Sequence, residues 1–455
     1  MGPERNPPSA LERLVREGTD EDIKRFFLLL RPPEIADLVE AIHEDQRARL
    51  MRLLGAPLAS DVFREIEEQE RDDLLEDLAD TEIAEIVHES RSDDAADIIG
   101  SLPPEKAERT LRRLDDEEQE EIRELLEYGE ETAGGIMQTE LVAVPADCTV
   151  GDARAAVHDA DRKDTGRINV VYVVDAEDRL IGTVSPAELL RNEPETPIRS
   201  VLDPHPVKAL VDVDQERIAR VAQEHDLTAI PVVDERGHLL GQVLHDDLID
   251  VVEEEATEDI ARMAGTKDEE IYDDSVAVAV RSRAPWLFLT FGGGLLVAGL
   301  LSTMEDDIKR YDLPVLLMFL PVVLGMAGNV GTQTAAITVR SLALGRIDFS
   351  RWMTPVVRQV ATGLILGLIF GVILFLFSLW RQKSSEDSQV LALALGVAIF
   401  CAISTGAIMG VLVPLLIHRI GLDPAISSSP FIQTANDLTG AGIMFFVARA
   451  MGLMG

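Results

Sequence analysis

Four long runs without a charged residue occupy the last third of this 455-residue chain: Ala284–Met304, Leu313–Val339, Gln359–Trp380 and Ser388–Ile417, of 21, 27, 22 and 30 residues. About 20 such residues cross a bilayer as an α-helix. Four of them in one third of a chain argue against buried helices of a soluble protein. A further apolar stretch, Pro424–Ala448, holds a single charge, Asp437, and is read as a fifth span. Arg281, Arg283, Arg346, Arg351, Arg358 and Arg419 flank one side of these spans, and Lys309, Arg310, Arg381, Lys383 and Arg449 the other. That mild bias, with no apolar signal-peptide core in Met1–Ala10, sets the expected topology. The chain is a multi-pass plasma (inner) membrane protein with its N-terminal part in the cytoplasm and its C-terminus outside.

The remaining residues carry the charge. The chain has 81 acidic and 42 basic residues, a net charge of −39, of which 72 acidic and 30 basic residues lie before Arg281. Such a surface repels nucleic acid, which binds through Lys and Arg on its phosphates, and favours cations. A salt-adapted surface is the plainer account of part of it. Cys148 and Cys401 suggest neither a disulfide framework nor a zinc site.

Two repeats organise the acidic part. Segments opening at Pro33, Pro57, Thr81 and Pro104 recur every 24, 24 and 23 residues with helix-starting residues and apolar positions at helical spacing, which predicts an all-α helical-repeat domain, stacked as a small solenoid or a compact bundle. Later, Val170-Val-Tyr-Val-Val-Asp175 and Gly182 match Ala229-Ile-Pro-Val-Val-Asp234 and Gly241 at an offset of 59, each copy reading as strand, turn, strand, helix. This pair resembles tandem CBS domains, an α/β module that often takes ATP or another adenosine nucleotide. The family pattern has Ser or Thr three residues after the Gly and Asp three further on. Here the copies supply Ser185 with Glu188, and Leu244 with Asp247, so each is half complete and a structural pair is the preferred reading.

Between Asp246 and Asp259 there are eight carboxylates in fourteen residues and no basic one. As a helix, this places Asp246, Asp250, Glu254 and Glu258 in one stripe and Asp247, Glu255 and Asp259 in another beside it. Like charges four residues apart destabilise a helix by a few tenths of a kcal/mol each; divalent cations held by carboxylates and water would offset that. Within the spans, polar residues concentrate at Gly325–Thr334 and around Asp437, with Ser427, Ser428, Ser429, Thr434, Asn436 and Thr439 close by. Oxygen ligands without nitrogen or sulfur suit a hard cation, and a lone carboxylate inside a span marks a pathway.

The whole chain resembles the MgtE family of magnesium channels. The resemblance rests on the order of its parts, on Ala256-Thr-Glu-Asp-Ile260, on Gly328-Asn329-Val-Gly331-Thr332-Gln333, and on Asp423-Pro-Ala together with Asp437-Leu-Thr-Gly440. It implies a multidomain membrane protein: a helical N domain (1–130), a tandem CBS pair (131–250), an acidic connecting "plug" helix (251–280) and an α-helical transmembrane bundle of five spans (281–455). It further implies a homodimer in the lipid bilayer whose twofold pore holds hydrated Mg²⁺ at Asp437 and Asn329, with Gly328, Thr332, Gln333, Ser429 and Thr434 as pore-lining candidates. Magnesium uptake would be closed by cytosolic Mg²⁺ bound among Asp93, Asp94, Asp97, Asp247, Asp250, Glu255, Glu258 and Asp259. Ser185, Glu188 and Asp247 are the nucleotide candidates. Ala327 departs from the family's Gly-Gly-Asn, and its added methyl is expected to narrow or stiffen a turn there. Alternatives are a broader divalent-cation channel, an ion-coupled Mg²⁺ exporter, and a CBS-based membrane nucleotide sensor. No nucleophile–base pair, phosphate loop or metal-spaced His pair suggests an enzyme.

Overall fold

Helix-starting residues at near-constant spacing can stack only if each unit buries its apolar face on the next, and the helical repeats do so. The computed structural model describes residues 14–15, 18–160, 168–272, 275–303, 314–343, 353–381, 386–426 and 429–453. The chain divides into two units, 1–254 and 255–455.

In the first unit, the predicted openers begin helices α2 (Pro32–Glu40), α4 (Ala56–Glu65), α6 (Asp80–Glu89) and α8 (Pro104–Leu111). Helices α1 (Asp20–Phe27), α3 (Glu44–Leu54), α5 (Glu68–Asp77), α7 (Ser92–Gly100) and α9 (Asp116–Leu125) alternate with them. Each even-numbered helix packs on the next even one; α1, α3 and α5 form a second row, and α7 packs on α9. This two-row arrangement is the solenoid. Ile35, Leu50, Val62, Phe63, Ile83 and Ile99 fill the space between the rows, each at most 2% exposed.

Two three-stranded sheets follow. In the first, β1 (Val142–Pro145) pairs parallel with β2 (Val171–Val174), which pairs antiparallel with β3 (Leu180–Val184); helices α10 (Val150–Asp159) and α11 (Pro186–Arg191) accompany it. In the second, β4 (Ala209–Leu210), β5 (Ala229–Val233) and β6 (Leu239–Leu244) repeat the pattern around α12 (Gln215–His225). The repeat holds to the register. Val173 faces Gly182 as Val232 faces Gly241, with a bulge after each Val. The two turns also join: Leu180 N donates to Gly237 O at 2.9 Å and Leu239 N to Asp178 O at 3.1 Å. Asp178 and Gly237 occupy the same turn position, both with positive φ (57° and 90°), a conformation that Gly and Asp tolerate best.

The acidic run forms one continuous helix, α13 (His245–Ala264). Leu248 and Val251 anchor its start in the core shared by Ala96, Leu125, Ile218 and Val243.

In the second unit, α14 (Glu269–Tyr272) precedes α15 (Val276–Thr303), α16 (Pro314–Ala343), α17 (Met353–Arg381), α18 (Glu386–Arg419) and α19 (Ser429–Ala450). The packing order runs α17, α18, α16, α19, α15, and α18 also touches α19. Small residues allow the close approaches, as expected where lipid offers helices no hydrophobic drive to associate. A Cβ added to Gly371 would lie 2.9 Å from the Gly396 carbonyl oxygen, and one on Gly363 would lie 2.2 Å from the Ala407 Cβ.

Among the described residues, four helices are long and apolar enough to span a bilayer: Val276–Thr303, Leu316–Ala343, Val356–Arg381 and Gln389–Arg419. The expected fifth span is the 22-residue helix α19, which packs along α15, α16 and α18; its polar residues set it apart from the other four. Gly325–Thr334 forms no turn. It lies inside the unbroken helix α16, so the methyl of Ala327 stiffens no turn; Ala327 is buried at 1% exposure within a helix packed on α18 and α19.

Candidate ion pathway and acidic cluster

Helix α16 carries Asn329 and Gln333 one turn apart, both exposed in the single chain, with Thr332 half-buried beside them. Gly328 is buried, because its missing side chain admits Gln433 of α19: a Cβ there would lie 2.3 Å from the Gln433 amide. Gln433 Nε2 in turn donates to Asp437 Oδ1 at 3.4 Å. Asp437 is half-buried. Gly328 thus acts on the carboxylate indirectly, by seating the amide that orients it.

Asn436, next to Asp437, is 1% exposed. Its Nδ2 donates to the Ala327 carbonyl at 3.4 Å, and the backbone of Gly331 makes room for it, since a Cβ there would lie 2.0 Å from Nδ2. Asn436 Oδ1 is buried without a hydrogen-bond partner. Gln433, one helical turn before Asp437, is not among the residues picked out in sequence, and Asn436 is named there only as one of the polar residues around Asp437. Thr434 is taken up otherwise. Its hydroxyl donates to Pro430 O at 2.8 Å, and its methyl carbon lies 2.1 Å from where a Gly293 Cβ would sit, so it faces α15. Ser429 opens α19; Ser427 and Ser428 lie outside the described residues.

In the first unit, three of the predicted sensor carboxylates meet around one arginine. Arg91, just before α7, donates through Nη2 to Asp247 Oδ1 at 3.0 Å, through Nε to Asp94 Oδ2 at 3.3 Å, and through Nη1 to Gln138 Oε1 at 3.1 Å; Asp93 Oδ2 lies 3.5 Å from Nη2. The Arg91 side chain is 16% exposed. Burial acts against its charge, but the three carboxylates outweigh that and raise its pKa. Asp93 is held well above the usual carboxylate range, first by burial and then by Asp94; Asp247 is raised by burial against the pull of Arg91. Asp247 Oδ2 has no hydrogen-bond partner. Asp97 lies at the exposed rim of α7, where desolvation by surrounding protein, with Asp94, Glu254 and Glu130, pushes it up to about 6 against Arg71. Asp250 is raised by burial and by Glu65. Among the described residues no three His, Cys, Asp or Glu side chains converge as a metal-holding group.

Further along α13, Glu258 pairs with Arg262, which also pairs with Asp423; Asp423 Oδ1 accepts from Ala425 N at 2.8 Å. Asp259 lies 4.0 Å from Arg340 Nη1. Glu255 shares this stretch of α13. The nucleotide candidates are otherwise engaged: Ser185 Oγ caps α11 by accepting from Glu188 N at 3.2 Å, Glu188 accepts from Arg191 at 2.7 Å, and Asp247 is bound to Arg91. Each of these three side chains is thus taken up by a partner within the protein.

Residues 30–131 match the family model of the MgtE intracellular N domain, residues 133–195 and 198–254 that of the CBS domain, and residues 320–447 that described as MgtE, divalent cation transporter. A magnesium transporter MgtE of Enterococcus faecalis is 34% identical over 96% of this chain and 95% of its own length. One of Thermus thermophilus is 31% identical over 97% and 98%. The solved cytosolic domain of the Mg²⁺ channel MgtE in complex with ATP is 30% identical, with a TM-score of 0.51, over 54% of this chain and 99% of that one. With this likeness running through the helical repeats, the paired sheets and the helices that carry Asn329 and Asp437, the chain belongs to the MgtE family.

Proposed function

We propose that this chain is a magnesium channel of the plasma (inner) membrane, assembled as a homodimer and mediating Mg²⁺ uptake. One observation carries the reading: Asn329 and Gln333 are exposed on a mostly apolar helix that packs on α19, which holds the half-buried Asp437. Polar groups at membrane depth cannot face lipid without large cost. A water-filled path between two copies covers them and presents Asp437, Asn329, Thr332 and Gln333 to the ion, with Gly328 seating the Gln433 amide behind Asp437 and Ser429 at the start of α19 near its mouth. Mg²⁺ gives up its water reluctantly, so a few oxygens around a hydrated ion suit it better than a dehydrating cage.

The carboxylates of the soluble unit and of α13 supply the gate in this reading. Two unit charges about 4 Å apart repel by about 4 kcal/mol at an effective dielectric near 20. High cytosolic Mg²⁺ screens and bridges Asp93, Asp94, Asp97, Asp247, Asp250, Glu255, Glu258 and Asp259 and favours the closed state. Low Mg²⁺ lets those outside the Arg91 cluster, Asp97, Asp250, Glu255, Glu258 and Asp259, part. The ion need only bind the closed state more tightly. The CBS pair serves here as a scaffold; no step passes through a nucleotide. Replacing both Glu258 and Asp259 with Ala should leave the channel conducting at cytosolic Mg²⁺ that silences the wild type. Patch recordings with unchanged inhibition would sink this gate.

A further inference from the structure

We infer that Arg91 is a resident cation of the helical-repeat unit, standing in permanently for part of the divalent charge that the junction with α13 would otherwise need. The inference rests on the reading of this patch as Mg²⁺-responsive.

The geometry carries it. A single guanidinium within 3.5 Å of Asp93, Asp94 and Asp247 joins α7 of the helical repeat to the start of α13. The same side chain reaches Gln138, in the strap that connects the helical repeat to the paired sheets. That strap is clamped on both sides: Ser92 N and Oγ both donate to Glu140 at 2.8 Å, Gln242 Nε2 donates to the Glu140 carbonyl at 2.7 Å, and Tyr172 donates to Gln242 at 2.8 Å. Arg91 therefore sits where three pieces of the unit meet. It supplies one positive charge against three carboxylates, and the partnerless Oδ2 of Asp247 marks the part of the demand it leaves unmet. Its planar fork holds several acceptors at fixed angles, which a lysine ammonium cannot reproduce. Two consequences follow. The junction stays docked when divalent ions are scarce, and a cation arriving at the patch meets roughly one charge less than the carboxylates alone would present.

The test is hydrogen exchange on the full-length protein in detergent, in EDTA and in Mg²⁺, read at residues 138–141 and 245–251. Wild type should be protected in both. Arg91→Gln should lose at least about tenfold protection at these residues in EDTA, the loss expected when a buried charge-assisted network loses its donor, and regain it in Mg²⁺, while strands β2 and β5 stay protected. Arg91→Gln protected like wild type in EDTA, or unprotected in Mg²⁺ as well, would overturn the assignment. Should Arg91→Gln not fold, Arg91→Lys carries the test: it should lose about threefold in EDTA and recover in Mg²⁺, and an unchanged or unrecovered Lys variant counts against the proposal. Wild-type flux that ignores cytosolic Mg²⁺ would remove the gating reading while leaving the EDTA comparison standing, so the two failures are distinguishable.

Discussion

Asp437→Ala should cut Mg²⁺ flux by about ten- to a hundredfold while leaving the folded protein intact. A divalent ion passing about 5 Å from a carboxylate through water gains about 2 kcal/mol from it, and each 1.4 kcal/mol is about tenfold. In the proposed homodimer two such carboxylates contribute, and the loss falls in that range. The fold should tolerate the change because Asp437 is only half-buried and receives one long hydrogen bond, at 3.4 Å from Gln433. Asp437→Asn keeps the shape and one oxygen, so it separates charge from geometry; flux near wild type in that variant would show that the carboxylate's charge is dispensable. Flux of ²⁸Mg or a Mg²⁺-sensitive dye in liposomes, at matched protein, reads both.

Gly410→Ala should be the most damaging small substitution in the membrane unit. Its Cβ would lie 2.4 Å from the Gly331 carbonyl oxygen, 2.9 Å from Thr334 Cβ and 3.1 Å from Ala335 N. Two of those three atoms are backbone, so α18 and α16 must separate. One turn earlier Gly406 meets the Ala327 carbonyl oxygen at 2.5 Å in the same way, making Gly406 and Gly410 a small-residue stripe of the kind that lets membrane helices touch backbone to backbone. Overpacking of this sort costs about 1–3 kcal/mol, and here it also displaces the α16 segment that receives Gln433 and Asn436. The expected result is a lower apparent melting temperature by fluorescence-detected size exclusion and a loss of flux. Gly325→Ala is the control. Nothing lies within 4 Å of a Cβ there, so that variant should melt like wild type; equal behaviour of the two variants would contradict the packing assigned to α16 and α18.

Much of this architecture was legible because it rests on periodicity. The openers at Pro33, Pro57, Thr81 and Pro104 mark the start or first turn of one row of helices, since a proline's missing N–H costs nothing in the first helical turn. The offset of 59 holds down to paired bulges after Val173 and Val232, because two copies of a sheet motif need the same bend. Charge-free runs reveal spans for the simple reason that a bilayer excludes charge. Residues whose role depends on what faces them were not legible. Arg91 is one basic residue among many in a surface-like helical repeat, and only the fold brings Asp247, 156 positions later, to its guanidinium. The dense carboxylates of α13 read as unopposed because their cations come from elsewhere: Arg91 for Asp247, Arg340 near Asp259, and Arg262 one turn past the run for Glu258. Gly328, a pore-lining candidate in sequence, serves first as the socket for Gln433, and Gly331 as the socket for Asn436. Like the glycine sockets, Thr434 belongs to the packing of α15 and α19.

In the proposed function the chain conducts Mg²⁺, and Mg²⁺ on the side of the first unit closes it. Full-length protein in liposomes, with Mg²⁺ entry followed as the Mg²⁺ bathing that unit is raised and with no counter-ion gradient, tests both halves together. Mg²⁺ should enter at low Mg²⁺, with Ca²⁺ entering far more slowly, and entry should fall as Mg²⁺ rises. Entry that requires a counter-ion gradient, or that continues undiminished at high Mg²⁺, would contradict the proposed function.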